Sequence, residues 1–122
     1  MSSYAYYASN ANATAQLAET GNTQLATFEV ENINTDTVVY LQLFDAAATG
    51  DVTVGTTTPI QSYQVHIGTG DGNAGGGLES GVREKYFRDP LRFSLGLVWA
   101  VTKDREGNTA PTSNCIVNFT LI

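Results

Sequence analysis

The chain has 122 residues, a length typical of one domain with a single hydrophobic core. Its net charge of -6 argues against nucleic acid as a partner, and its one cysteine, Cys115, excludes an intrachain disulfide and a multi-cysteine metal site. The sequence has neither a long apolar run nor a basic and apolar leader, so we expect no membrane span and no signal peptide, and a soluble protein made in a cytoplasm.

The first segment, residues 1–13, is small and polar apart from Tyr4, Tyr6 and Tyr7. This composition predicts an extended N-terminal arm that becomes ordered only where it docks. The remaining residues, 14–122, are predicted to form one domain.

Seven segments of that domain alternate apolar and polar residues with the period of two that is typical of β-strands. Five patterns are strong and two, at residues 14–19 and 82–87, are weaker. The strong segments are residues 28–31, 39–43, 62–67, 91–102 and 115–121. Segment 91–102 is apolar at every odd position and is predicted as one long strand, with Gly96 leaving room for a bend or a close neighbour.

The connections between these segments carry turn residues, and no segment shows the spacing of a helix. They include residues 45–59, residues 104–113 and the dipeptide Asp89-Pro90. Short strands with turn-rich links predict an all-β fold, namely a single-domain antiparallel β-sandwich or jelly roll.

The glycine-rich segment at residues 68–77 contains Gly70-x-Gly72-x-x-Gly75 after a predicted strand. A dinucleotide site needs a helix directly after these glycines within a βαβ unit, and no such helix is predicted here. An EF-hand is also not indicated, although a calcium ion shared between subunits at Asp71 and Glu79 stays open. We interpret the segment as a loop that a neighbouring chain orders.

Candidate catalytic side chains are few. His66 is the only histidine and falls on the polar face of its strand, while Cys115 falls on an apolar face where a thiol keeps a high pKa. We therefore predict no catalytic residue, no cofactor and no metal ligand. Trp99 is predicted in the core, whereas Tyr40, on the opposite face of its strand, is a platform or interface candidate.

Charge is distributed unevenly along the chain. Residues 1–82 carry eight acidic and no basic residues, and all six basic residues follow, which gives the two parts charges of -8 and +2. This pattern suits lattice contacts between basic and acidic surfaces, and it equally suits ordinary solvated loops.

Four stretches of the sequence resemble, in order, a family of small β-sandwich virion proteins of tailed bacteriophages. They are "NTDTVVYLQLFDAA" (34–47), "TVGTTTP" (53–59), "LRFSLGLVWAVT" (91–102) and "GNTAP" with "CIVNFTLI" (107–111 and 115–122). The resemblance spans about residues 27–122. It does not extend to the glycine-rich stretch or to the tyrosines near the N-terminus.

The resemblance implies a non-enzymatic capsid decoration, or cement, protein located on the virion surface. Its partners would be the major capsid protein and further copies of itself, with a homotrimer favoured over a dimer. The alternative is a carbohydrate-binding or host-surface-binding module of a fibre or tail tip.

Candidate interface residues are the aromatic and basic side chains that commonly dominate protein contacts. They come from the N-terminal segment and from residues 83–92, where an ordinary solvated strand is the competing interpretation. The candidates are Tyr4, Tyr6, Tyr7, Arg83, Lys85, Tyr86, Arg88 and Arg92.

Overall fold

The structure, a computed structural model, describes residues 4–68 and 81–122. Over these ranges the chain forms eight β-strands and a 3-10 turn at Thr49–Asp51, and it contains no α-helix. The strands are β1 (Tyr4–Ala11), β2 (Gln16–Thr20), β3 (Thr23–Glu31), β4 (Val39–Asp45), β5 (Gln61–Val65), β6 (Val82–Phe93), β7 (Gly96–Thr102) and β8 (Cys115–Leu121).

The strands form two four-stranded sheets that pack face to face. Sheet A has the order β1-β8-β3-β6 and sheet B the order β2-β7-β4-β5. Antiparallel pairing joins β1 to β8, β2 to β7, β3 to β6 and β4 to β5. This nested pairing is the topology of a jelly roll. The predicted antiparallel β-sandwich is therefore confirmed.

Apolar side chains from the inner faces of both sheets fill the core. In β8, burial alternates residue by residue, with Cys115, Val117, Phe119 and Leu121 facing inward. Trp99 is fully buried, as the sequence predicted, and meets the Phe119 ring edge-on with the ring centroids 5.7 Å apart. Inner-face alternation thus gives the sandwich one continuous core.

The N-terminal segment differs from the prediction. Tyr4–Ala11 forms β1 at the edge of sheet A, so a separate arm over residues 1–13 is wrong for these residues. The Tyr6 ring stacks on Phe119 with centroids 5.7 Å apart, and Ala8 is buried beside it. The sequence of β1 does alternate, but the inward position of Ala8 carries only a small side chain. The segment therefore lacked a clear row of large apolar residues.

The predicted long strand at residues 91–102 is also wrong, because the chain breaks between β6 and β7. The carboxylate of Asp45 accepts backbone N–H groups of Ser94, Leu95 and Gly96 at 3.2, 2.8 and 3.3 Å. Gly96 has φ +149°, and a Cβ there would lie 2.6 Å from the Ala46 carbonyl oxygen. Leu95 continues the apolar pattern but is 56% exposed, since the bend turns it out of the core.

Asp89-Pro90 does not form the predicted turn but lies inside β6. Leu91 pairs with Leu25 and Tyr86 pairs with Thr27, so residues 87–90 bulge from the sheet opposite one residue of β3. A bulge on an edge strand accommodates a proline, which has no N–H to donate to a neighbouring strand.

The outer face of sheet B, called here the covered face, carries Phe44, Val98 and Ala100, which are at most 2% exposed. They form a second apolar cluster with Ala46 and Val52 from the β4–β5 connection. Since all seven residues of β7 are buried, this strand needs cover on both sides. The β4–β5 connection supplies the outer cover by folding back over the sheet.

The β7–β8 connection covers another part of the same face. Gln42 is fully buried, and its amide Nε2 donates to the backbone carbonyls of Asp104 and Gly107 at 3.2 and 3.0 Å. Gln42, an outward-facing polar residue of β4, therefore binds the β7–β8 connection of the same chain.

A buried asparagine pair ties the connections together at one end of the sandwich. The Asn32 amide Nδ2 donates to the His66 carbonyl oxygen at 3.0 Å, and the backbone N–H of Ser113 donates to Asn34 Oδ1 at 2.7 Å. The N–H of Gly68 donates to the Asn34 carbonyl, and the N–H of Asn32 donates to the Gly81 carbonyl. The predicted glycine motif and the calcium hypothesis at Asp71 and Glu79 fall between these glycines, outside the described residues.

Candidate interaction surface

The outer face of sheet A, called here the open face, is a four-stranded polar surface. The strand register determines which side chains are neighbours across this face. Tyr7 and Glu29 lie on either side of Asn118, Glu29 pairs with Glu84, and Thr27 pairs with Tyr86. The outward side chains that define the open face are Ala5, Tyr7, Gln24, Thr27, Glu29, Glu31, Glu84, Tyr86, Arg92, Ile116, Asn118 and Thr120.

A groove of about 370 Å³ crosses this face over β3, β6 and β8. Most of its lining residues carry a carboxylate, amide, hydroxyl or phenol group, so it offers both hydrogen-bond donors and acceptors. The lining residues are Thr27, Phe28, Glu29, Glu84, Lys85, Tyr86, Asn118 and Thr120.

Two carboxyl groups meet in this groove. Partial burial raises the pKa of Glu29, and the hydrogen bond and negative charge of Glu84 and the charge of Glu31 raise it further. Asn118 Nδ2 donates to Glu29 Oε1 at 3.4 Å, which acts in the opposite direction on the same pKa. One shared proton, or a cationic partner placed over the two carboxyl groups, would therefore stabilise the Glu29–Glu84 pair.

Exposed tyrosines stand on both edges of the open face. Tyr7 on β1 is 62% exposed and Tyr86 on β6 is 82% exposed. Both are predicted interface residues, and β8 and β3 separate the strands that carry them. Arg92, also predicted and exposed, extends from the same face beside Gln24. The fold thus brings together side chains from distant parts of the sequence.

Two other predicted tyrosines point toward the core side of β1. Tyr6 is half-buried and meets Trp99 edge-on at 5.9 Å, so most of its ring is engaged inside the molecule. Tyr4 is 42% exposed, and partial burial together with its hydrogen bond to Glu19 raises the pKa of its phenol to about 12. These two side chains secure β1 to the sandwich.

The basic residues at the start of β6 close the gap between the sheets. Arg83 Nη1 donates to the Gln64 carbonyl oxygen at 2.9 Å, and its guanidinium lies 5.7 Å from the Tyr63 ring centroid. Lys85 Nζ lies 5.5 Å from the Phe87 ring centroid. Arg88, in contrast, is exposed on the bulge of β6. Only part of the predicted basic stretch is therefore available for contacts.

The remaining sequence candidates differ in their exposure. His66 is exposed just beyond β5, whereas Cys115 is buried and burial raises the pKa of its thiol to about 11, as the sequence predicted. Tyr40 is stacked under Arg105, with the guanidinium 4.8 Å from its ring centroid, and its hydroxyl accepts from Gln64. The Arg105 guanidinium therefore occupies one face of this ring.

The sequence did not identify Glu29, Glu84 and Asn118 as site residues. Each was visible only as a polar position in an alternating segment. Their proximity comes from the register that sets Glu29 opposite both Glu84 and Asn118, and one sequence does not state that register.

The described ranges, 4–68 and 81–122, contain no cluster of three metal-ligating side chains and no helix able to cross a membrane. The chain matches no protein-family model and shows no significant similarity to a curated protein or to a solved structure.

Proposed function

We propose that this protein is a non-enzymatic structural protein of a tailed-bacteriophage virion, which decorates the capsid over joints between major capsid protein subunits and stabilises the shell. The sequence resemblance supports this role. The jelly-roll topology is compatible with it, since this architecture occurs among viral capsid domains.

The observation that carries the proposal is the contrast between the two outer faces. The chain's own connections seal sheet B, whereas the described residues leave the open face bare over four strands. Tyr7, Tyr86 and Arg92 belong to the residue types that dominate interface energies. Glu29, Glu31 and Glu84 add negative charge, so the complementary surface on the capsid is expected to be basic.

The test uses capsids assembled without this protein. Adding the wild-type chain is expected to raise the temperature at which the capsids release DNA, because a ligand of the assembled shell stabilises it by mass action. The Tyr7→Ala/Tyr86→Ala double variant is expected to bind capsids weakly and to give little protection. Ile60→Ala, which shortens a 43% exposed side chain next to sheet B, serves as the matched control.

Equal heat resistance of capsids with and without the wild-type protein would contradict the proposal. Equal protection by the double variant would reject the open face as the contact surface.

The second candidate is a carbohydrate-binding module, and the groove on the open face favours it, because polar and aromatic side chains stand together in its lining. Its carboxylates, the Asn118 amide and the Tyr86 ring are groups that bind sugar hydroxyls and stack on sugar rings. Glycan-array binding that is lost in Asn118→Ala would favour this candidate, whereas the occupied Tyr40 ring is not its expected platform.

A further inference from the structure

Within residues 4–68 and 81–122, four strands lie at sheet edges, and they differ in their protection against pairing with another chain. β6 carries six charged residues, a bulge and Pro90 along its twelve residues. β2 and β5 are short, with five residues each. β1, in contrast, has eight residues, YAYYASNA, without a charge or a proline, and its register is irregular only between Ala8 and Ala11. Charges, bulges, prolines and short length are the features that keep an edge from pairing with another chain.

The unpaired side of β1 is open to hydrogen bonding over its first part. β1 pairs on one side with β8, in regular register from Tyr4 to Ala8, and among the described residues it has no strand on its other side. An antiparallel edge directs alternate N–H and C=O groups away from its sheet. Beyond this stretch, Gln16 Nε2 donates to the Asn10 carbonyl at 3.1 Å, so the chain itself blocks the end of the strand.

The side chains of β1 leave a partner strand room to approach. On the outer side, Ala5 and Ser9 are small and exposed, and they flank Tyr7. On the inner side, Tyr6 and Ala8 are fixed in the core and keep the backbone in strand conformation. The first part of the edge is thus held in strand conformation before any partner arrives.

We propose that β1 pairs antiparallel with β1 of a second copy of this chain, so that two copies of sheet A form one continuous eight-stranded sheet about a two-fold axis. A strand without charges meets its own copy without like-charge repulsion, whereas self-pairing of β6 would bring the four basic and two acidic residues of each copy to the shared edge. Antiparallel pairing of identical strands is isologous and closes as a dimer. This proposal replaces the trimer favoured from the sequence, and it does not rest on a viral role.

Sedimentation of the full-length protein over a concentration series up to about 100 µM tests this proposal. The wild type is expected to dimerise. The Ala5→Lys/Ser9→Lys variant is expected to raise the dimer dissociation constant by at least about tenfold, because lysines on an edge strand oppose pairing. Gln24→Lys/Thr120→Lys adds the same charge to the inner strands β3 and β8 of the same face and is expected to leave the dimer unchanged.

Hydrogen exchange on the wild type provides a readout that does not depend on the folding of a variant. The β1 amides are expected to exchange more slowly at high than at low protein concentration, while those of β6 do not change. A monomeric wild type, a dimer that persists in the β1 variant, or concentration-independent exchange in β1 would each overturn the proposal. Dissociation by both lysine pairs alike would assign the contact to the open face and would overturn it as well.

Discussion

The two outer faces of this sandwich are each built from four antiparallel strands, yet among the described residues the chain's own connections cover one face and leave the other open. On the covered face, Phe44 and Val98 stand at outward positions, and both are almost completely buried beneath the β4–β5 connection. On the open face, the outward positions of β3 and β8 carry Glu29 and Asn118 instead. The difference shows that the outward residues of a strand determine whether its sheet needs a cover.

The largest expected effect is a difference in the free energy of unfolding between a variant of the covered face and a variant of the open face. Phe44→Ala is expected to lower the free energy of unfolding by about 3–5 kcal/mol, because it opens a cavity in the second apolar cluster. Tyr86→Ala, at a position 82% exposed on the open face, is expected to change it by less than about 0.5 kcal/mol. Chemical denaturation of both variants measures the contrast. Similar losses in the two would show that the open face also packs against something.

A second effect concerns the bend that lets β6 and β7 lie in different sheets. Asp45→Ala is expected to cost about 1–2 kcal/mol, because the backbone N–H groups of Ser94, Leu95 and Gly96 lose their acceptor. Asp51→Ala, in the exposed 3-10 turn, is the matched control and is expected to have little effect. Thermal unfolding compares the two, and equal melting temperatures would exclude a structural role for the Asp45 carboxylate.

The smallest expected effect is a change in the pH dependence of stability, caused by a residue of the open face. The pKa of Glu29 is higher in the folded protein than its ordinary value, so in the window between the two the folded state binds more protons. Stability contributed by this group is therefore present at low pH and decreases as pH rises through that window. Glu29→Gln is expected to flatten this decrease, with Glu106→Gln on the exposed β7–β8 connection as control. An unchanged profile in Glu29→Gln would show that the Glu29–Glu84 pair does not interact.

Much of the fold could be predicted because a strand that is buried on one side alternates apolar and polar residues. Cys115–Leu121 forms a strand as expected, and the weaker segment at residues 14–19 overlaps β2. The pattern failed where alternation continued through a break. Leu95 fits the period of its neighbours, but the acceptor that turns the chain there is Asp45, which lies 50 residues away in the sequence.

The site was less predictable because it depends on pairing between strands. Tyr86 was a candidate by residue type alone, and its side chain is exposed. Arg83 was a candidate for the same reason, yet its guanidinium packs against Tyr63 of the other sheet. Residue type does not distinguish these two positions, and alternation places them on opposite sides of β6 without identifying the side that faces the other sheet. Only the position of β5 shows which side of β6 faces a neighbour.

The anchoring of Gly68 and Gly81 has a practical consequence for engineering. Both glycines are hydrogen-bonded to the β3–β4 connection, and a Cβ on Gly81 would lie 2.9 Å from the Gly68 Cα. The two ends of the intervening sequence are therefore joined by the sandwich itself. Because each doubling of a closed loop costs only about 0.6 kcal/mol, we expect that foreign peptides of varied length can be inserted between these anchors at small cost in stability. We therefore expect this jelly roll to be usable as a scaffold for peptide display.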